Sequence, residues 1–189
     1  MSLRAIERAA MCIALLLGGS TVASCSSSST SSKPPVTICD PGKSKGQAAS
    51  DLPAAGDIRT AISDLDHKLG GPQRYFEVNV TARLVNLFVA LNDGAVAQPW
   101  IWVNGTLTSR EGQAAKGGTF TAADLTFDAK AMFNDIRSQI PEATLESMYI
   151  NGDGKGNVQY GVITSAKCGG GLDVTVSPTG KVKTVMPVD

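Results

Sequence analysis

The chain has 189 residues, of which 42% are hydrophobic and 18% charged, so it can form one folded domain together with processing segments. Lysine and arginine together number 17, as do aspartate and glutamate, and this balance excludes the basic surface typical of a nucleic-acid-binding protein. The chain has one histidine, His67, so few catalytic schemes based on imidazole are open to it.

The N-terminus is organised as a secretory signal. Arg4 and Arg8 precede an apolar run over residues 9–17, which is too short to cross a bilayer as a helix. The sequence Val22-Ala23-Ser24-Cys25 follows this run and places two small residues before a cysteine.

This motif resembles the lipobox of bacterial lipoproteins. The resemblance implies that residues 1–24 are a signal peptide and that the thiol of Cys25 receives a diacylglycerol. Two or three acyl chains, such as palmitate, hold a protein firmly on a membrane, whereas one chain binds only marginally. We therefore expect a protein anchored by lipid to the outward, extracytoplasmic side of the cell membrane. The alternative is an ordinary secretory signal that happens to be followed by a cysteine.

The segment after the lipobox is a predicted tether. Residues 25–35 are rich in serine and end in two prolines, a composition that buries little apolar surface and favours a mobile linker. We expect residues 36–189 to form a single domain.

Two cysteines remain in that domain, Cys39 and Cys168. In an exported protein such a pair usually forms a disulfide, which would contribute about 4–5 kcal/mol for so long a loop. A catalytic thiol or a metal site is the alternative. Neither cysteine lies in a Cys-x-x-Cys motif, and a single histidine does not complete a tetrahedral set, so we expect no metal.

Two segments have the hydrophobic spacing of helices. The first runs over residues 50–69, with Ser50 or Asp57 as its N-cap, and is followed by Gly70-Gly71-Pro72, which stops a helix. The second runs over residues 128–139, with Asp128 as a capping residue and Pro141 beyond its end. The two apolar stripes consist of Ile58, Ala61, Ile62, Leu65 and Leu69, and of Met132, Phe133, Ile136 and Ile140.

The rest of the domain has the patterns of strands, with Asn104-Gly105 as the strongest hairpin signal. The order of helix, strands, helix and strands predicts an α+β fold, in which two helices pack on one face of an antiparallel sheet. Each half is a helix followed by a meander, which suggests a tandem duplication. Residues 119–127 lead into the second helix, and the predicted strands cover residues 76–82, 84–91, 100–103, 147–150, 158–165, 172–176 and 181–186.

Sequences that suggest catalysis or ion binding are incomplete. Residues 151–157 carry oxygen side chains at alternate positions, but Val162 stands where an EF-hand needs a glutamate, which favours a hairpin tip. Glycines 169–171 lack the Lys-Ser/Thr of a phosphate-binding loop, and no Gly-x-Ser-x-Gly motif accompanies His67. We expect His67 on the solvated side of the first helix, no enzymatic activity and no cofactor.

Trp100 and Trp102 are two residues apart on a strand and therefore share one face. If that face packs under a helix, both are core residues. If it is exposed, they are the candidate contact for a ligand or partner.

The chain is similar in composition to small actinobacterial lipoproteins, including mycobacterial ones, and residues 172–185 resemble the closing hairpin of PepSY-type envelope modules. We expect a non-catalytic module that binds another envelope protein. The alternative is a carrier that holds a lipid in a cavity lined by residues 84–91, Met132, Phe133 and Ile136. A close-packed core favours the first function and a large cavity the second.

Overall fold

In the computed structural model, residues 52–166 and 170–188 are described, and they belong to one compact unit of the chain. These residues form an α+β fold with two α-helices and ten strands, together with short 3₁₀ helices. The helices are α1 (Ile58–Leu69) and α2 (Ala129–Gln139). The strands are β1 (Arg74–Val80), β2 (Val85–Leu91), β3 (Val96–Val103), β4 (Thr106–Ser109), β5 (Gln113–Ala114), β6 (Phe120–Thr121), β7 (Ala143–Gly152), β8 (Val158–Ala166), β9 (Gly171–Val176) and β10 (Val182–Val188).

Helix α1 is the second part of the first predicted helix. A 3₁₀ helix, Pro53–Asp57, precedes it, and Asp57 makes no capping hydrogen bond with its side chain. The predicted stop is confirmed, because Gly70 adopts the left-handed conformation with φ of 82°. The predicted stripe is buried at Ile58, Ala61, Ile62 and Leu65, whereas Leu69 at its end is exposed.

Helix α2 confirms the second prediction at both ends. Asp128 accepts a hydrogen bond of 3.0 Å from the amide of Ala131, as an N-cap residue does, and the helix ends before Pro141. Asp135 in this helix accepts a bond of 2.9 Å from the amide of Val182, which ties α2 to the start of β10.

The strands form one antiparallel sheet in the order β10-β9-β8-β7-β1-β2-β3-β4, with β5 beside β3 and β6 beside β1. Strands β1 and β7 are neighbours in its middle, and each begins a meander that runs outward to an edge. Each meander follows a helix in the chain, so the element order repeats, as predicted from the sequence.

The hairpin predicted at Asn104-Gly105 joins β3 to β4. Both residues have positive φ angles, 47° and 82°, as a type I′ turn requires. Strand β4 itself is polar and was not predicted from the sequence.

The core lies between the helices and one face of the sheet. Residues of α1 and α2 belong to the same buried cluster as alternate residues of the strands, so both helices pack on one face. The strand residues of this face are Val78, Val80, Val85, Leu87, Val89, Trp100, Trp102, Met148, Ile150, Tyr160, Val162, Val174 and Val176.

Candidate functional site

The opposite side of the sheet, which we call the open face, is covered by neither α1 nor α2. Its positions follow from the strand registers in three rows that cross the sheet. The rows are Ile101-Asn86-Asn79-Tyr149-Gly161-Thr175-Thr184, Pro99-Phe88-Glu77-Asn151-Gln159 and Ser147-Ile163-Asp173-Met186. They combine apolar and amide side chains with two carboxylates, and they contain no lysine or arginine.

Tyr149 occupies the middle of the open face and lies across the neighbouring strand. Its hydroxyl donates a hydrogen bond of 2.8 Å to Oδ1 of Asp173, two strands away on β9. Between them on β8 stands Gly161, where an added Cβ would be only 2.1 Å from Cζ of Tyr149. The missing side chain at Gly161 therefore makes the space in which the tyrosine ring lies.

The surroundings of Tyr149 disfavour its ionised form. Partial burial is the largest cause, followed by the hydrogen bond to Asp173 and the negative charge of that residue. A hydrogen bond with the side chain of Thr175 acts in the opposite direction, and Glu77 adds a smaller repulsion. Together they raise the pKa of Tyr149 to about 12. Tyr149 is thus a neutral hydrogen-bond donor, with its ring in one position and partly exposed to solvent.

Glu77 lies on β1 and is one strand away from Tyr149 in the sheet. It is half-buried, and this desolvation raises the pKa of its carboxyl group. No described residue donates a hydrogen bond to this carboxylate or forms an ion pair with it. A partly desolvated carboxylate with no donor lowers the stability of the fold. Ionisable groups kept in such unfavourable surroundings are common in binding sites.

Asn151 faces Glu77 directly across the β1–β7 pair. Its Oδ1 atom is buried and has no hydrogen-bond partner among the described residues. Such an acceptor is rare in folded proteins and calls for an explanation, such as a donor that arrives from outside the chain. Glu77 and Asn151 therefore form a pair of acceptors with no donors at the centre of the sheet.

The two tryptophans lie on the other face, in the core. Trp100 is 7% exposed and Trp102 6% exposed. Trp102 donates a hydrogen bond of 2.7 Å to Asp64 of α1, and the ammonium group of Lys68 lies 5.7 Å from the ring centre of Trp100. Helix α1 covers both rings. The tryptophans are therefore core residues and are not exposed for contact with a ligand or partner.

His67 is exposed on the last turn of α1, as predicted. It lines a cleft of about 600 Å³ together with Arg59 and Asp66. Two of the polar groups in this cleft have internal partners. Arg59 donates to the carbonyl of Leu125, and Asp66 accepts from the hydroxyl of Tyr75 at 3.1 Å. These bonds give the residues a structural role.

The hairpin tip predicted over residues 151–157 is shorter in the structure: it covers residues 153–157, because Asn151 and Gly152 belong to β7 and pair with β8. Asp153 closes this tip, since its Oδ1 accepts hydrogen bonds from the amides of Lys155 and Asn157 at 2.7 and 3.0 Å. The side-chain amide of Asn157 donates to the other carboxylate oxygen at 2.9 Å. These bonds lower the pKa of Asp153 and use its oxygens within the turn.

The predicted lipidation site Cys25 and the predicted disulfide partners Cys39 and Cys168 lie outside the described residues. Within those residues, neither α-helix is long and apolar enough to span a membrane.

The cluster of Tyr149, Glu77 and Asn151 on the open face was not singled out in the sequence, although two signals pointed toward it. Glu77 and Asn79 alternate with apolar residues, which predicted a solvated face of β1. A glycine inside a strand pattern, as at Gly161, often marks a place where another group approaches the backbone closely. No sequence signal indicated that this group is Tyr149.

No protein-family model, curated protein or solved structure matches this chain.

Proposed function

We propose that this chain is a non-catalytic lipoprotein, anchored through Cys25 on the outward side of the cell membrane, that binds another envelope protein through its open face. The lipobox supports the anchor. The main support for the binding role is the cluster of Tyr149, Glu77 and Asn151. It places an aromatic ring and two acceptors without donors on the open face, near the middle of the strand order.

The composition of the open face also fits a protein interface. Phe88, Ile101 and Ile163 are only partly buried there, among amide and hydroxyl side chains. Interfaces of this kind combine aromatic anchors with a polar surround, and tyrosine is among their commonest anchors. A preformed ring position lowers the entropy lost on binding.

The packing of the core favours this function over the lipid carrier. Leu87, Met132 and Ile136, which would line the carrier's cavity, are 0% exposed. A cavity wide enough for an acyl chain would give its lining side chains some accessible surface. Their complete burial is what a close-packed interior produces.

The experiment that tests this function places a photo-crosslinking amino acid at single positions of the full-length protein in the cells that make it. Thr175 is on the open face, and Thr60 is an exposed residue of α1 that serves as the matched control. We expect one defined crosslinked polypeptide from Thr175 and none from Thr60. Equal crosslinking from both positions, or none from either, contradicts the proposal.

A separate variant tests the anchor. Cys25→Ala removes the acceptor for the lipid, so the protein should leave the membrane fraction or accumulate as an uncleaved precursor. Normal maturation and unchanged membrane attachment would contradict the lipobox assignment.

A further inference from the structure

We infer that the open face binds a cationic side chain, an arginine or lysine of the protein partner, over the ring of Tyr149 and against the carboxylate of Glu77. This inference rests on the proposed function and adds the chemistry of the contact.

The ring of Tyr149 lies over Gly161 of β8, in the space where a side chain would otherwise project from the sheet, and Tyr149 is partly exposed to solvent. A cation within about 6 Å of an aromatic ring centre is attracted by the electron-rich face of the ring. The chain already contains two such contacts. Arg59 lies 5.9 Å from the ring centre of Phe127, and Lys68 lies 5.7 Å from that of Trp100. In the described residues, no cation covers Tyr149.

The two neighbouring acceptors need the donors that a cation provides. The carboxylate of Glu77 and Oδ1 of Asn151 have no donor among the described residues, and the two residues are directly opposed in the β1–β7 register. Directly opposed residues of an antiparallel pair have Cβ atoms about 5 Å apart. One guanidinium or ammonium group carries several N–H donors, so it can serve the carboxylate of Glu77 and, once the Asn151 side chain rotates toward the surface, Oδ1 of Asn151 as well.

The charge of the open face selects a cation over an anion. Glu77 and Asp173 are the charged residues in its three rows, and both are acidic. An anionic partner would meet these carboxylates with no compensating base in the rows. A cationic side chain instead restores a counter-charge to Glu77, which is half-buried without one.

The test uses nuclear magnetic resonance on the isotope-labelled full-length protein in detergent micelles. The probe is N-acetyl-arginine amide, and the matched control is N-acetyl-citrulline amide, which has the same shape and no charge. We expect saturable shifts at Tyr149, Asn151 and Gly161 with the arginine probe, with a dissociation constant of about 1 mM. The citrulline probe should bind about tenfold more weakly.

Two carboxamide variants locate the contact. Glu77→Gln should weaken binding of the arginine probe by about tenfold, because it removes the charged acceptor. Glu146→Gln changes an exposed carboxylate on β7, which accepts a hydrogen bond from Ser165, and should leave binding unchanged. The proposal is overturned if both variants weaken binding equally or if citrulline binds as well as arginine. Absence of saturable shifts up to about 50 mM probe, far above the expected dissociation constant, also overturns it.

These outcomes are separable from failure of the proposed function. If Thr175 crosslinks a partner while the arginine probe does not bind, the open face is an interface of different chemistry. If neither is observed, the open face is not an interface at all.

Discussion

Tyr149 reaches Asp173 across an intervening strand, and the 2.8 Å hydrogen bond between them exists because Gly161 leaves the space free. A residue with any side chain at position 161 would push the ring off the sheet. The arrangement holds a large, partly exposed aromatic side chain in one position without covering it. This is the property that we expect of an anchor residue in an interface.

Gly161→Ala tests this arrangement directly. The new Cβ would lie 2.1 Å from Cζ of Tyr149, so the ring must move and its bond to Asp173 must break. We expect a loss of about 1 kcal/mol in the free energy of unfolding, the net value of a hydrogen bond, because the ring end can move toward solvent. The pKa of Tyr149 should fall from about 12 toward the ordinary value, as followed by its ring resonances.

Gly56→Ala is the matched control, since no atom lies within 4 Å of its added Cβ. It should leave both stability and the pKa of Tyr149 nearly unchanged. If the two variants have the same stability and the same pKa of Tyr149, then Tyr149 does not lie against β8 at Gly161.

Glu77→Gln should make the protein more stable at neutral pH. Burial raises the pKa of Glu77 in the folded state, so the folded state binds this proton more tightly than the unfolded chain does. The associated stability is fully present below the unfolded pKa of about 4.3, and it is lost as the pH rises through the higher folded pKa. Glutamine does not ionise and keeps this contribution at pH 7.

We expect a gain of about 0.5 kcal/mol at pH 7, the scale of a surface substitution, and no gain below the unfolded pKa. Urea unfolding at both pH values measures it. A variant that binds the partner less well and is more stable identifies Glu77 as a functional residue, because a structural residue would lose stability. A loss of stability at pH 7 would contradict this interpretation.

Asp64→Ala should weaken the attachment of α1 to the sheet. Trp102 is 6% exposed, and its indole N–H would lose the acceptor that it now has at 2.7 Å. Leaving a buried donor without a partner costs about 1–3 kcal/mol. Asp57→Ala, at the start of the same helix, removes no capping bond and should cost much less. Equal urea midpoints for the two variants would argue against the bond.

Cys39→Ser tests the disulfide between Cys39 and Cys168, which is predicted from the sequence. Without the bridge, the free energy of unfolding should fall by about 4 kcal/mol in the chain-entropy account, and Cys168 should react with maleimide. The double variant Cys39→Ser/Cys168→Ser should lose the same stability and carry no reactive thiol. The disulfide is wrong if Cys168 of the oxidised wild-type protein already reacts.

The α+β fold class, both helices and the longer strands could be predicted from the sequence alone. Both helices, the stop at Gly70, the cap at Asp128 and the hairpin at Asn104-Gly105 follow from residues close together in the chain. Local hydrogen bonds and backbone preferences govern such features, so a short stretch of sequence contains the information. Hydrophobic alternation similarly assigned a buried and a solvated face to β1.

Contacts between distant segments determined which strands became neighbours and which side chains met on the open face. The pairing of β1 with β7 brings Glu77 beside Asn151, and the β7–β8–β9 register places Gly161 beneath Tyr149. The sequence left the tryptophans as core or contact residues, and the position of α1 settled that they are core. These relationships depend on contacts between distant segments, and hydrophobic periodicity carries no information about which strand pairs with which.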